Sequence, residues 1–111
     1  MRKFVSMKRA GIGIVIPVYN REKELRRTFE SVVAQTYRPL HVVLVDNRST
    51  DGSLALCRAL KAEYEQPDFR VTIAEATTQG PSAARNKGLS CVEEEFVSFL
   101  DSDDEYAPDA I

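Results

Sequence analysis

Four carboxylates lie within five residues near the end of the chain, in the run Asp101-Ser102-Asp103-Asp104-Glu105. Crowded carboxylates repel one another, which raises some of their pKa values unless a cation lies among them. Carboxylate oxygens are ligands that suit Mg²⁺ or Mn²⁺. The cluster follows an apolar run, Phe96-Val97-Ser98-Phe99-Leu100, that is typical of a buried strand. We therefore predict a divalent-metal site on Asp103, Asp101 and Asp104; a solvated acidic turn is the alternative.

Three other classes of site share this local pattern but fit it less well. An EF-hand loop that began at Asp101 would need glycine at its sixth position, where Tyr106 stands. A haloacid-dehalogenase-like phosphatase carries its acids on the first strand of the domain, whereas Asp101 follows the last predicted strand. A receiver domain would place its acids after other strands and would add a lysine late in the chain.

Further side chains with chemical potential occur at three earlier positions. Tyr19 follows Pro17 and presents a ring that can stack on a base or simply pack. Asp46 and Asn47 can hydrogen-bond a nucleobase or ribose, although such residues also make local turns. Arg85 brings positive charge near an anionic ligand, and a solvated basic helix face is the alternative.

The elements that position these groups are predicted from apolar periodicity. Continuous apolar runs indicate four strands, and residues at helical spacing indicate three helices between them. The predicted strands are Ile12–Val18, 41–45, 69–73 and 96–100. Asn20 is expected to cap the first helix, and Asp51 or Ser53 the second. Alternating strands and helices predict an α/β fold, a parallel sheet of about four strands flanked by helices, whose ligand side is the edge where the strands end.

Bulk properties restrict the function classes. The chain has 111 residues, 43% of them hydrophobic, which suits one compact domain with a modest core. Its net charge of −2 argues against nucleic-acid binding. Residues 1–10 form a basic tail, for which a solvated end or a membrane-surface role stays open. No apolar run suits a membrane span or signal peptide, so a cytoplasmic location is expected. Cys57 and Cys91 are expected to be core thiols.

Four blocks in this order closely resemble glycosyltransferase family 2, the inverting transferases of the GT-A fold. They are Ile16-Pro17-Val18-Tyr19-Asn20, the loop from Val45 to Ser53, the segment Gly80–Leu89, and Phe99-Leu100-Asp101-Ser102-Asp103-Asp104. The resemblance covers about residues 11–111. It implies the Rossmann-like, nucleotide-sugar-binding half of that fold.

The resemblance also implies ligands and residue roles. The donor would be a nucleotide-diphosphate sugar, often UDP-linked in this family, bound with Mn²⁺ or Mg²⁺ for transfer to a saccharide or lipid-linked saccharide in polysaccharide biosynthesis. Pro17 and Tyr19 match positions that contact the base, and Asp46 and Asn47 match positions around base and ribose. Asp101 and Asp103 match the family's DxD acids, with Asp103 as direct metal ligand and Asp104 as a second candidate. Arg85 matches a family position without an assigned contact.

One loop departs from the family pattern. Members commonly read Asp-Asp-Gly-Ser where this chain has Asp46-Asn47-Arg48-Ser49. Asn47 still offers an amide oxygen to a base N–H, but without charge. Arg48 replaces a flexible glycine, so a stiffer loop is expected.

The acceptor side is the larger departure, because family members continue well beyond this length. We expect residues 11–111 to be truncated before the acceptor-binding half and the catalytic base to lie beyond Ile111. His41 begins a strand at the opposite end of the sheet and is expected to be structural. Donor binding without efficient transfer is the prediction.

Two rival functions follow from the same residues. A non-catalytic nucleotide-binding or interaction module would retain the fold without the chemistry. A sugar-nucleotidyltransferase would need a glycine-rich loop after the first strand, which Tyr19-Asn20-Arg21-Glu22 lacks. Peripheral membrane association and homo-oligomer formation through an exposed sheet edge are further hypotheses.

Overall fold

A computed structural model of the protein describes residues 10–78, 80–107 and 110–111, so nearly all of the basic tail lies outside the described residues. Strands and helices alternate throughout these described residues, as the periodicity predicts. The strands are β1 (Ile12–Val18), β2 (Leu40–Asp46), β3 (Phe69–Glu75) and β4 (Phe96–Phe99), and the helices are α1 (Leu25–Val33), α2 (Ser53–Tyr64) and α3 (Pro81–Cys91).

The four strands form one parallel sheet in the order β3-β2-β1-β4. The predicted α/β class with a four-stranded parallel sheet is thereby confirmed. β1 pairs with β2 over its full length, from Ile12 opposite Leu40 to Val18 opposite Asp46. The chain builds outwards from β1 to β3 and then returns to the other side of β1 as β4. The direction of winding therefore reverses between β1 and β4, which is where open α/β sheets form ligand crevices.

Alternate residues of the inner strands enter two separate cores. Ile14, Ile16 and Val18 pack with Phe29 of α1 and Leu60 of α2 on one face. Val15, Val43 and Val45 pack with Ala84 of α3 on the other face. All seven residues of β2 are buried, because helices cover both of its faces. This double cover explains why the strand is continuously apolar instead of alternating.

α3 lies close to the sheet because its inner face carries small residues. A Cβ atom added at Gly88 would stand 2.3 Å from Cγ1 of Val15, well inside contact distance. The helix begins with Pro81, which suits the first helical position because its missing N–H would have no partner there. The close approach brings the start of α3 to the edge where β1 and β2 end.

Local predictions about helix starts and one cysteine are wrong. Asn20 does not cap α1, because α1 starts later and Glu24 holds the cap position. Asn20 instead has a left-handed φ of 50°, a conformation that asparagine tolerates. Gly52 stands at the cap of α2 in place of Asp51 or Ser53. Cys57 is a core thiol as expected, whereas Cys91 is only half-buried.

β4 is the short outer strand beside β1. It has four residues, and Phe96, Val97 and Phe99 are all more than two-fifths exposed. Within the part of the chain that the structure describes, no helix is long and apolar enough to span a membrane.

Candidate donor and metal site

A cavity of about 450 Å³ opens at the carboxyl ends of β1 and β4, at the reversal point of the sheet. Residues from four separate parts of the chain form it. They are Pro17, Val18, Tyr19 and Arg21 at and just after the end of β1, Asn47 after β2, Gly80, Pro81 and Ala84 at the start of α3, and Asp101, Ser102 and Asp103 after β4. Groups up to 86 positions apart in the sequence thus share one crevice, which is the arrangement that the sequence analysis expects at this edge.

The acidic cluster forms a turn at the mouth of the crevice. The backbone N–H of Asp104 donates to the carbonyl of Asp101 at 3.0 Å, which closes the turn. Asp101, Asp103 and Asp104 are exposed, and each offers a carboxylate oxygen within 4.8 Å of the others. Three hard oxygen donors that converge in this way, on exposed residues that water can reach, fit Mg²⁺ or Mn²⁺. The three sequence-predicted metal ligands are therefore brought together, and the donor set suits the predicted ion.

Two polar side chains of α1, and that of Gln35 just after it, hold the segment that carries these acids. The buried Thr28 hydroxyl donates to the carbonyl of Ser102 at 3.0 Å. One turn later, Ser31 Oγ accepts the N–H of Tyr106, also at 3.0 Å. Gln35 Nε2 donates to the carbonyl of Ala107. The acidic turn is consequently fixed to a helix and not only to the end of a short outer strand.

Asn47 is the buried polar residue of the crevice. Asn47 is only 6% exposed, and its backbone N–H donates to the carbonyl of Val18 at 2.8 Å. Its side-chain Nδ2 donates to the carbonyl of Gly80 at 2.9 Å, so its orientation is fixed. Its Oδ1 has no hydrogen-bond partner. A buried acceptor without a partner is rare in folded proteins, so a ligand or a water molecule that donates a hydrogen bond would satisfy it.

Asp46 precedes Asn47 in the sequence but is not among the residues that line the cavity. It is 3% exposed; Oδ2 accepts the N–H of Ser49 at 3.2 Å, and Oδ1 has no partner. Burial, together with the negative charge of Asp46, raises the pKa of the Cys57 thiol to about 12. Because Asp46 does not line the cavity, its contact with the base or ribose stays a prediction.

The loops after β1 and β2 are joined to each other by hydrogen bonds. Asn20 donates its N–H to Ser49 Oγ at 3.0 Å and accepts the N–H of Thr50 on Oδ1 at 2.8 Å. Arg21 donates its N–H to Ser53 Oγ at 2.7 Å. Arg48, the residue that replaces the family's glycine, has a left-handed φ of 60° and is exposed. The loop therefore keeps a glycine-like conformation with a residue that is not glycine.

The remaining predicted residues are divided between the cavity and the surface. Pro17 and Tyr19 line the crevice, and Tyr19 is 49% exposed, so its ring is accessible. Arg85 is exposed on α3 and does not line the cavity. Arg21 does line it, although the motifs do not single it out. Its position directly after Asn20, at the same edge of the sheet, is the signal that could have identified it.

His41 lies at the opposite end of the sheet, as expected. It is buried, with Nδ1 2.9 Å from Glu94 Oε1 and Nε2 2.7 Å from Thr72 Oγ1. Burial disfavours the charged Glu94, but its hydrogen bond with His41 and the charge of that ring outweigh burial, so the pKa of Glu94 is lowered. These contacts join β2, β3 and the segment before β4, which is a structural role.

Comparisons with known proteins give matches over nearly all of the chain. The family model described as Glycosyl transferase family 2 matches residues 13–111. Glycosyltransferase GlyA of Streptococcus pneumoniae serotype 4 is 40% identical over 93 residues, which are 84% of this chain and 13% of that protein.

Two solved structures are also similar. S. aureus TarS 1-349 in complex with UDP superposes with a TM-score of 0.75 at 31% identity, over 85% of this chain and 28% of that one. The mannosyltransferase PcManGT from Pyrobaculum calidifontis, in complex with GDP-Man and Mn²⁺, gives 0.83 at 27% identity, over 93% of this chain and 30% of that one. The chain thus spans less than a third of the length of each of these proteins.

Proposed function

The chain belongs to glycosyl transferase family 2, and from this premise we propose that residues 11–111 bind a nucleotide-diphosphate sugar, UDP-linked, together with Mn²⁺ or Mg²⁺. The observation that carries the proposal is the shared crevice. A fixed amide with an unpaired acceptor, Asn47, and the exposed acids Asp101 and Asp103 line the same cavity. The Asn47 amide suits a nucleobase, and the two acids suit a metal-bound diphosphate.

The base side of the crevice supplies orientation. Asn47 Oδ1 accepts a hydrogen bond from a ring N–H, a group that uracil presents and that cytosine lacks at the corresponding nitrogen. The exposed ring of Tyr19 offers an apolar face beside it, and Pro17 completes this side. Among the relatives compared, TarS was solved with UDP and PcManGT with GDP-Man, and both bases carry such an N–H.

The acidic side holds the diphosphate through a cation. Asp103 and Asp101, with Asp104 next to them, are the residues that would bind it. A divalent ion held by these residues would supply positive charge beside the departing nucleotide diphosphate. Inverting transfer then needs one displacement, in which an acceptor hydroxyl attacks the anomeric carbon and loses its proton to a base.

The proton acceptor is the part of this reaction that the crevice does not supply. Among the described residues that line it, the carboxylates are those assigned to the cation, and His41 is at the other end of the sheet. We therefore propose donor binding without efficient transfer by residues 1–111 alone. The acceptor, the cytoplasmic location and membrane association stay predictions.

Calorimetric titration with UDP, with and without Mn²⁺, tests the proposal. We expect binding that depends on the metal and is lost in Asp103→Asn by about tenfold or more, since even the groups that only support metal ligands contribute roughly 10- to 100-fold. Asp68→Asn, at the opposite end of the sheet, is the matched control and should bind normally. Absence of UDP binding would favour a non-catalytic interaction module. Robust transfer by the isolated chain would contradict the proposal that its crevice supplies no proton acceptor.

A further inference from the structure

Arg21 is the cationic side chain of the crevice. Among the described residues that line the cavity, it carries the one positive charge, and Asp101 and Asp103 carry the negative ones. Its backbone is fixed, because its N–H donates to Ser53 Oγ at 2.7 Å at the start of α2. Its side chain crosses from the β1 side towards the acidic turn. The guanidinium reaches Asp103, with Nη2 3.9 Å from Oδ2.

The ion pair between Arg21 and Asp103 is loose and exchangeable. At 3.9 Å it is an electrostatic contact and not a hydrogen bond, and the two side chains are 42% and 51% exposed. Exposed pairs of this kind are weak, because water competes with both partners. Arg21 therefore offsets part of the repulsion among the three acids, although its ion pair with Asp103 is weak.

Two cations cannot use the same carboxylate equally well. A divalent ion on Asp103 repels the guanidinium and takes its partner. A nucleotide diphosphate that arrives with the ion offers new oxygens to the released side chain, and guanidinium groups match phosphate oxygens with two parallel hydrogen bonds. The backbone of Arg21 stays fixed during this exchange, so only its side chain has to move.

We propose that Arg21 exchanges Asp103 for a diphosphate oxygen when the donor binds, and so couples metal binding to nucleotide binding. This inference rests on the proposed function and adds a positioning residue to it. In the free chain Arg21 weakens the binding of metal alone, and in the loaded chain it strengthens the binding of the nucleotide. Because coupling between two ligands is reciprocal, each ligand then raises the affinity for the other.

The diagnostic result is a change of opposite sign in two affinities. In Arg21→Gln, Mn²⁺ alone, followed by electron paramagnetic resonance, should bind about threefold more tightly, since an exposed ion pair is lost from the acids. UDP at saturating Mn²⁺, followed by calorimetry, should bind about tenfold more weakly, since a charge-assisted hydrogen bond is lost. Arg21→Lys should keep the metal affinity and recover part of the UDP affinity.

Arg27→Gln is the matched control. Arg27 pairs with Glu105 at 2.8 Å, beside the same acidic turn, but does not line the cavity. Arg27→Gln removes the same charge near the same turn and should change the affinities for Mn²⁺ and for UDP by less than about twofold each. Equal effects of the two substitutions, or a change of both affinities in one direction for Arg21→Gln, would overturn the inference. If the wild-type chain itself shows no metal-dependent UDP binding, the proposed function fails and the inference fails with it.

Discussion

Asn47 has two polar atoms with different surroundings. Nδ2 is tied to the carbonyl of Gly80, and Oδ1 faces no partner. An aspartate, the residue that the family commonly has here, cannot donate to that carbonyl. The amide in this chain therefore performs a structural task at the start of α3 in addition to the base contact that we propose for it.

Asn47→Asp is accordingly expected to destabilise this chain, although it restores the common family residue. The new carboxylate would lie against the Gly80 carbonyl and next to the buried Asp46. We expect a loss of about 1–3 kcal/mol in the free energy of unfolding at pH 7, measured by urea denaturation. Asn86→Asp, on the exposed face of α3, is the control and should change little. A variant as stable as the wild type would show that the Asn47–Gly80 hydrogen bond is dispensable.

Arg48 is the second residue at which this chain departs from its family. Its φ of 60° is a region that residues with a Cβ atom occupy at a cost. The side chain is exposed, so no burial compensates for that cost.

Arg48→Gly should therefore stabilise the fold. Relief of the left-handed conformation is worth about 1–2 kcal/mol, and the greater freedom of glycine in the unfolded chain offsets about half of this. We expect a net gain of about 0.5–1 kcal/mol in thermal or chemical denaturation. Arg48→Ala removes the same charge but keeps the Cβ atom, so it should show no gain. Equal stability of the two variants would contradict this explanation.

The contact between α3 and β1 operates at the scale of elements. Gly88 permits it, because Val15 of β1 occupies the space that a side chain would need. The same contact positions Gly80, Pro81 and Ala84 in the wall of the crevice. Packing and site geometry are thus linked through one helix.

Gly88→Ala tests this link. Its Cβ atom would stand 2.3 Å from Val15 Cγ1, so helix and strand must separate. Overpacking of this kind costs about 1–3 kcal/mol. The double variant with Val15→Ala should be more stable than the sum of the two single effects predicts, which urea denaturation can measure. Additive effects would mean that the two residues do not compete for the same space.

At the other end of the sheet, Glu94 joins three elements through His41 and Arg70. The pKa of Glu94 is lowered from its ordinary value of 4.5. A carboxyl group with a lowered pKa in the folded state adds stability above its unfolded pKa and loses it as pH falls through the folded value. Glu94 should therefore contribute to stability at neutral pH and stop contributing in acid.

Glu94→Gln isolates this contribution. The amide oxygen still accepts from His41, but the charge is gone. The variant should be less stable than the wild type at pH 7, and the difference should shrink below pH 4.5, the ordinary value for the group. Unfolding curves between pH 3 and pH 7 measure it. Glu93→Gln is the neighbouring exposed control. If the difference in stability between Glu94→Gln and the wild type does not change with pH, the charge of Glu94 does not cause it.

At the scale of the whole molecule, the sheet and the family were predictable, and the connections between loops were not. Runs such as Ile12–Val18 and 41–45 carry strong local signals, so the elements and their parallel arrangement followed from them. The strand order, the left-handed Asn20 and the grip of Thr28 on Ser102 have no such signal. Asn20 and Thr28 make their hydrogen bonds to residues far away in the sequence, and the strand order likewise depends on contacts between distant segments. Arg21 was overlooked for the same reason, since only folding brings it to Asp103.

The two sides of the crevice follow strands whose backbone amides should exchange hydrogen with solvent at different rates. Asn47 follows β2, which is paired on both sides and buried along its length, whereas the acids follow β4, which is short, exposed and paired with β1. Backbone amides of β2 should exchange with deuterium only through global opening, and those of β4 through local opening. Donor and metal together should slow exchange in β4 far more than in β2. The base would then bind to a side of the crevice that is already rigid, at Asn47. The cation would make the acidic side rigid when it binds.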